Sequence, residues 1–166
     1  NVTQEITNVT NITNVTRVEN NDPLAQTFTV DETGCYLSSV DIFLAKKDEN
    51  EKLHVQVRTT ELGTPTNKMV VDYALVSLEP SQINVSDDAS VPTTVTFSSP
   101  IYLQPNETFA VVLLAPTTNN YLAWIARMGE ATVDTQSLPN TESVIITNQY
   151  LGGSLFRSQN GSIWTA

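Results

Sequence analysis

Three residue types are scarce in this chain, and each scarcity removes a class of chemistry. Cysteine occurs once, at Cys35, so no disulfide closes within the chain and no cysteine metal knuckle can be assembled. Histidine also occurs once, at His54, which leaves a hydrolytic triad a single candidate base. Lys and Arg total 8 against 18 Asp and Glu, a formal net charge of −10. Binding to phosphate backbones replaces counterions with Lys and Arg, so nucleic acid and anionic membrane surfaces are not expected partners. Long apolar runs are missing too. The longest, Phe109 to Ala115, has the length of a strand and falls well short of the about 18 apolar residues of a membrane span.

What the chain does have is an unusual beginning. From Ile6 an aliphatic residue returns at every third position: Ile6, Val9, Ile12, Val15, Val18. On a helix, steps of three lag the turn by about 60° each, so the stripe winds around the rod instead of forming a face. On a strand, alternate members of the file point to opposite sides. A segment so rich in Asn and Thr, with a single file of aliphatics, cannot make its own core. It gains one if copies wrap each other and bury the file on a shared axis. Residues 1–21 are therefore expected to form an extended oligomerisation stalk, most simply of three chains, with a disordered low-complexity tail as the alternative.

Asn20-Asn21-Asp22-Pro23 ends the repeat, and the domain boundary is placed there. Residues 22–166 then show strand signals at short intervals without helical periodicity, the pattern of an all-β, jelly-roll-like antiparallel sandwich. Strands are expected over 24–30, 36–45, 53–59, 69–78, 93–97, 100–103, 108–115 and 121–128, with shorter ones near 144–146, 154–157 and 163–164. Val40, Ile42 and Leu44 should face the core, with Asp41 and Phe43 opposite; 108–115, apolar on both faces, should be a central strand. The sequence opens without Met and closes just after a strand signal, which reads as a piece of something longer.

Candidate chemistry is thin. Leu53, Val55 and Val57 point inward by alternation, so His54, Gln56 and Arg58 point outward and His54 gains no catalytic setting. Cys35 lacks a nucleophile signature and reads as a small strand residue beside a turn. Carboxylates such as Asp48, Glu49, Glu51, Asp87 and Asp88 fall in loops, where spacing picks out no glycosidase pair and solvation is the default. Asp87-Asp88 beside Asn84 is the densest acidic knot outside the 46–52 hairpin, but it lacks the spacing of a calcium loop. No enzymatic activity, cofactor or metal is expected. Six Asn-x-Ser/Thr triplets beyond the opening one (Asn8, Asn11, Asn14, Asn84, Asn106, Asn160) match the glycosylation pattern at a rate that this Asn- and Thr-rich composition produces by chance.

Carbohydrate binding is the rival to a structural role. Tyr121 and Trp124 lie near Asn119 and Asn120, and Trp164 follows Asn160. Trp124 shares alternation with Leu122, Ala126 and Met128, which reads as a core face. Tyr121, at the loop edge, is the freer ring, and Tyr36 is a further outward candidate. Phe43, apolar on the face opposite the core residues, marks a candidate interface.

Two phrases add a resemblance. Asp22-Pro-Leu-Ala-Gln-Thr-Phe-Thr-Val30, with Ser39-Val-Asp-Ile-Phe-Leu-Ala45 and Val55-Gln-Val-Arg-Thr59, resembles a domain of virion structural proteins from T4-like contractile-tailed phages of marine cyanobacteria. Gly153-Ser-Leu-Phe-Arg-Ser-Gln-Asn-Gly-Ser-Ile-Trp-Thr165 is similar to the C-terminal signature of that family. The middle, Phe97-Ser-Ser-Pro-Ile-Tyr-Leu103 with Phe109-Ala-Val-Val-Leu-Leu114, resembles a broader class of β-sandwich modules on bacterial extracellular proteins. The resemblance covers 22–166 and leaves the repeat outside it. It implies a tail, baseplate or fibre component of an extracellular particle, trimeric and non-enzymatic, whose partners are itself and other virion proteins. A receptor- or glycan-binding adhesin on the same scaffold, or a subunit that donates its N-terminal segment as a strand to a neighbour, are the alternatives.

Overall fold

The computed structural model of the chain describes residues 15–18 (backbone only), 23–118, 120–125, 152–158 and 163–166. They form an all-β protein of two antiparallel sheets. In chain order the strands are β1 (Val15–Val18), β2 (Leu24–Thr29), β3 (Cys35–Lys46), β4 (Leu53–Glu61), β5 (Thr64–Met69), β6 (Leu75–Leu78), β7 (Pro92–Leu103), β8 (Thr108–Leu114), β9 (Tyr121–Trp124), β10 (Leu155–Ser158) and β11 (Trp164–Thr165). The smaller sheet has the order β1-β9-β3-β7; the larger runs β11-β10-β2-β8-β4-β5, with β6 also paired to β4.

Period-two alternation explains how the sheets meet. Ile42 and Leu44 of β3, Val95 of β7 and Tyr121 and Ala123 of β9 pack against Leu24, Leu53, Val55 and Leu113 of the larger sheet. A second cluster continues this core through Val30, Val57, Phe97, Ile101, Leu103 and Phe109. Each aliphatic or aromatic side chain fully buried there contributes about 1.5–3 kcal/mol before entropy is subtracted. As expected, β8 is central: it lies between β2 and β4, in register from Leu24↔Leu113 to Thr29↔Thr108 and from His54↔Leu114 to Thr59↔Phe109. Its other face, Ala110 and Val112 with Leu114 alongside, packs with Ala25, Phe156 and Trp164.

Three departures from the sequence expectation have local causes. Of the stretch read as one strand over 69–78, only Met69, which ends β5, and Leu75–Leu78, which form β6, are strand; the chain turns between them, and Val57 takes both the Ala74 carbonyl and the Val70 amide, at 2.9 and 3.0 Å. The loop expected at 62–66 is a tight turn instead. Leu62 and Gly63 both have positive φ, 51° and 78°, the twist that a two-residue hairpin requires. Residues 93–97 and 100–103 belong to one strand, β7. Its register against β3 jumps from Leu37↔Ile101 to Ser39↔Thr96, so 97–100 are extra residues in the ladder: Phe97 turns into the core, Ser98, Ser99 and Pro100 are exposed, and Pro100 has no N–H to give the ladder.

The repeat reaches the body through β1. Val15–Val18 pairs antiparallel with β9, from Val15↔Trp124 to Val18↔Tyr121, and forms an edge of the smaller sheet. The boundary placed at 21/22 thus falls between a strand of the smaller sheet and β2 of the larger. Ile6, Val9 and Ile12 lie outside the described residues, as do the segments expected as strands at 126–128 and 144–146.

A close crossing fastens β10 to β2. The Thr27 amide donates to the Ser154 carbonyl at 2.9 Å, and the Ser154 amide donates to Thr27 Oγ1 at 2.7 Å. A Cβ on Gly153 would sit 1.7 Å from the Thr27 carbonyl oxygen, so only glycine fits without moving backbone. Gly63 has open space around it and is constrained by φ alone. Gly153→Ala should therefore cost about 3 kcal/mol or more in denaturant unfolding, while Gly63→Ala should cost only about 1–2 kcal/mol. Equal losses would contradict the crossing.

Candidate functional site

Three of the four exposed aromatics among the described residues, Tyr36, Tyr73 and Tyr102, lie towards the start of β3 and the end of β7. Tyr36 and Tyr102 are cross-strand partners on the outward face of the smaller sheet, their rings 5.1 Å apart and tilted by 48°. The neighbours on each strand, Leu37, Ile101 and Leu103, turn into the core, so alternation forces both tyrosines out. They are 72% and 48% exposed. The Tyr102 hydroxyl lies over Gly34, 3.3 Å from where a Cβ would stand. Tyr73, 41% exposed, comes from the β5–β6 turn of the larger sheet and directs its hydroxyl at the Pro100 carbonyl, 3.4 Å away. Three tyrosines from three segments thus converge on the bulged end of β7.

Phe43 is exposed on the outward face, as alternation predicted, and sits opposite Pro92. It is seven residues from Tyr36 along β3, roughly 20 Å at strand rise, so the two belong to separate places. Between them Thr94 donates to Asp41 at 2.6 Å across the strands.

Tyr121 is a correction. Expected as a free ring at a loop edge, it is fully buried, and its hydroxyl donates to the Glu51 carbonyl. The cause is Asp48, which was expected in solvent. Asp48 is buried and ties its own hairpin to the β8–β9 loop. Its carboxylate accepts from Thr118 Oγ1, from Asn120 Nδ2 at 2.7 Å, and from the amides of Asn50 and Glu51 at 2.8 and 3.0 Å. Thr117 adds a bond to the Glu51 carboxylate. The clamp folds the 48–51 turn over Tyr121. Donation by Thr118, then by Asn50, Asn120 and Glu51, holds the Asp48 carboxyl far below the usual carboxylate range. Burial, followed by the negative charges of Asp48, Glu51 and Glu79, pushes the Tyr121 phenol up from 10.0 to about 12.

The remaining candidates serve the fold. Trp124 lies on the strand face opposite Tyr121 and Ala123, half-buried, and donates its indole N–H to the Ser86 carbonyl at 2.9 Å. The expectation that it lines the core was out of phase. Trp164 is buried against Ala25 and Val112. His54 points outward as expected and shares a 2.7 Å hydrogen bond with Ser77. Asp88 accepts from the Ser90 amide at 3.0 Å, and Asn84 donates to the Pro92 carbonyl at 3.0 Å, so both shape the loop before β7. Asn119 and Asn160 lie outside the described residues.

The sequence reading missed Tyr102, Tyr73, Arg58's burial and the role of Lys47. Tyr102 was visible in principle, flanked as it is by inward Ile101 and Leu103. Lys47 was not: its ammonium caps the Pro80 and Ile83 carbonyls at 2.7 and 2.8 Å, more than thirty residues away in sequence. Arg58 points outward yet is buried, with Nε donating to Gln56 at 2.8 Å, and burial lowers its pKa.

Fold and site together define a two-sheet, all-β antiparallel protein with an exposed tyrosine corner. Comparison with protein-family models, curated proteins and solved structures gave no match.

The clamp makes pH predictions in both directions. Asp48 has a folded pKa below its ordinary 3.8, so its stabilisation is present above that value and is lost as pH falls beneath it. Asp48→Asn should be less stable at neutral pH and show a flatter acid limb in thermal unfolding. Tyr121 has a raised folded pKa, so its contribution is complete below pH 10 and is lost as pH climbs towards about 12. Tyr121→Phe should cost about 1 kcal/mol at neutral pH and weaken the alkaline decline. Unchanged pH limbs in both variants would contradict the clamp.

Proposed function

We propose that this chain is a non-enzymatic structural protein of a phage virion, a tail, baseplate or fibre component, and that it assembles as a homotrimer. In this reading residues 1–21 form the shared stalk and 22–166 a jelly-roll-like sandwich at its end, acting in the extracellular particle through contacts with other tail proteins. The observation that carries the proposal is how the period-three repeat joins the body. Its last members belong to β1, which pairs along β9 at a sheet edge. A repeat joined in this way passes load to the body through main-chain hydrogen bonds instead of through a slack tether. The family phrases in 22–45 and 153–165 support the same reading, and so do the polar clusters, which are spent on holding loops. Burying Ile6, Val9 and Ile12 of each chain on an axis, ahead of β1, would contribute about 1.5–3 kcal/mol each, enough only when copies share them.

A second reading is favoured by the same strand. β1 is an edge strand in a polar repeat, and such a strand can be exchanged between copies, giving a filament subunit.

Light scattering on the purified chain should give three times the monomer mass, and deletion of residues 1–20 should return a monomer. The triple change Ile6→Ser, Val9→Ser and Ile12→Ser keeps β1 and separates the readings. Monomers result if the aliphatic file holds the trimer, whereas strand exchange leaves the association intact. A full-length chain that is monomeric at every concentration would reject both.

A further inference from the structure

We infer that the tyrosine corner formed by Tyr36, Tyr102 and Tyr73 is a binding site for a neutral oligosaccharide. This goes beyond a structural role in the particle and does not depend on the trimer.

Sugar recognition needs ring faces for the apolar sides of pyranoses and short polar groups for their hydroxyls. The corner supplies both. All three rings stand in solvent, 72%, 48% and 41% exposed for Tyr36, Tyr102 and Tyr73, and alternation with the core residues Leu37, Ile101 and Leu103 keeps the first two there. Tyr36 and Tyr102 are held side by side but tilted by 48°, a twisted platform instead of a flat one. Successive sugar rings of a chain are themselves rotated relative to one another, so a twisted pair can face two of them. Tyr73 reaches the same end of β7 from the larger sheet, its hydroxyl on the Pro100 carbonyl. Around the rings lie the exposed hydroxyls of Ser98 and Ser99 on the bulge and the exposed amide of Gln104, all short or uncharged.

Charge selects among ligands. The adjoining turns carry Asp31, Glu32, Asp72 and Glu107, all exposed, and no Lys or Arg. Asp31 is held ionised by donation from Thr33. The turns bearing Asp31 and Glu107 are joined, because the Val30 amide donates to the Glu107 carbonyl at 2.9 Å and the Asn106 amide to the Asp31 carbonyl at 3.1 Å. Carboxylates accept hydrogen bonds from sugar hydroxyls but repel uronates, sulfated glycans and anionic lipid. Tyrosines also serve protein interfaces, but there they sit in a patch core depleted of charge, whereas the exposed groups on the adjoining bulge and turns here are hydroxyls, an amide and carboxylates. The bulge at 97–100 and Pro100 also blunt this end of β7 against strand addition. The ligand left by this selection is an uncharged pyranose chain.

The test is saturation-transfer NMR of the full chain with neutral oligosaccharides (glucan, galactan, mannan and N-acetylglucosamine oligomers), with oligouronates as the charged counterpart. At least one neutral chain should bind. Tyr36→Ala and Tyr102→Ala should each weaken it at least about tenfold, while Tyr36→Phe, which keeps the ring, should retain most of the affinity. Phe43→Ala, on the same face but remote, should change nothing. Circular dichroism of each variant confirms that folding is intact. The inference is overturned if no neutral chain binds, if oligouronates bind as well, or if binding survives the Tyr36→Ala/Tyr102→Ala double change. Loss of binding on Phe43→Ala would move the site elsewhere and overturn it equally.

Discussion

β8 has no face to give to water. Six of its seven residues from Phe109 to Leu114 are apolar, and both sides of the strand must be covered. One side is met by the inward rows of β3, β7 and β9, which commits the smaller sheet to lie across the larger. The other side needs Ala25, Phe156 and Trp164, which commits β10 and β11 to the flank of β2. Gly153 follows from that commitment, since β10 reaches its place only by passing against the Thr27 carbonyl. The polar clusters come last in this order. They fasten loops whose strands hydrophobic burial has already placed.

Much of this architecture could be read from residue order alone, because alternation is unambiguous where only one face is apolar. Val40, Ile42 and Leu44 on β3, and Leu53, Val55 and Val57 on β4, point where they were expected to point. Phasing fails where both sets of alternate residues are apolar. In Tyr121-Leu-Ala-Trp124 either face can pass for the core, and the observed phase is set by the Asp48 clamp and the Ser86 carbonyl, partners that lie 38 to 72 residues away. The turn that separates β5 from β6 at 70–74 likewise depends on Val57 capturing Val70 and Ala74. The repeat is the hardest case. A period of three has no strand phase, so the pairing of Val15–Val18 with β9 could not be foreseen from it.

The candidate site was half legible for the same reason. Phe43 was picked out by standing opposite core positions; Tyr36, named as an outward ring, would share the face of Val40, Ile42 and Leu44 in an unbroken strand and faces out because the β3 register shifts between Leu37 and Ser39. Tyr102 and Tyr73 join Tyr36 only because β7 bulges and the β5–β6 turn reaches Pro100, both tertiary facts. The molecule thus divides its work between two regions. On the proposed reading the N-terminal repeat serves assembly, while the far end of β7 presents rings to solvent. Self-association and recognition can then vary independently, an arrangement suited to a particle component that must both be held and make contact.

The account rests on the aliphatic file being dry only in company. Hydrogen–deuterium exchange followed on dilution tests this most directly. Amides of residues 6–14 should be protected in concentrated protein and lose that protection as the oligomer dissociates, while β1, paired to β9, and β8 stay protected throughout. Protection of 6–14 that is independent of concentration, or absent at all concentrations, would contradict it.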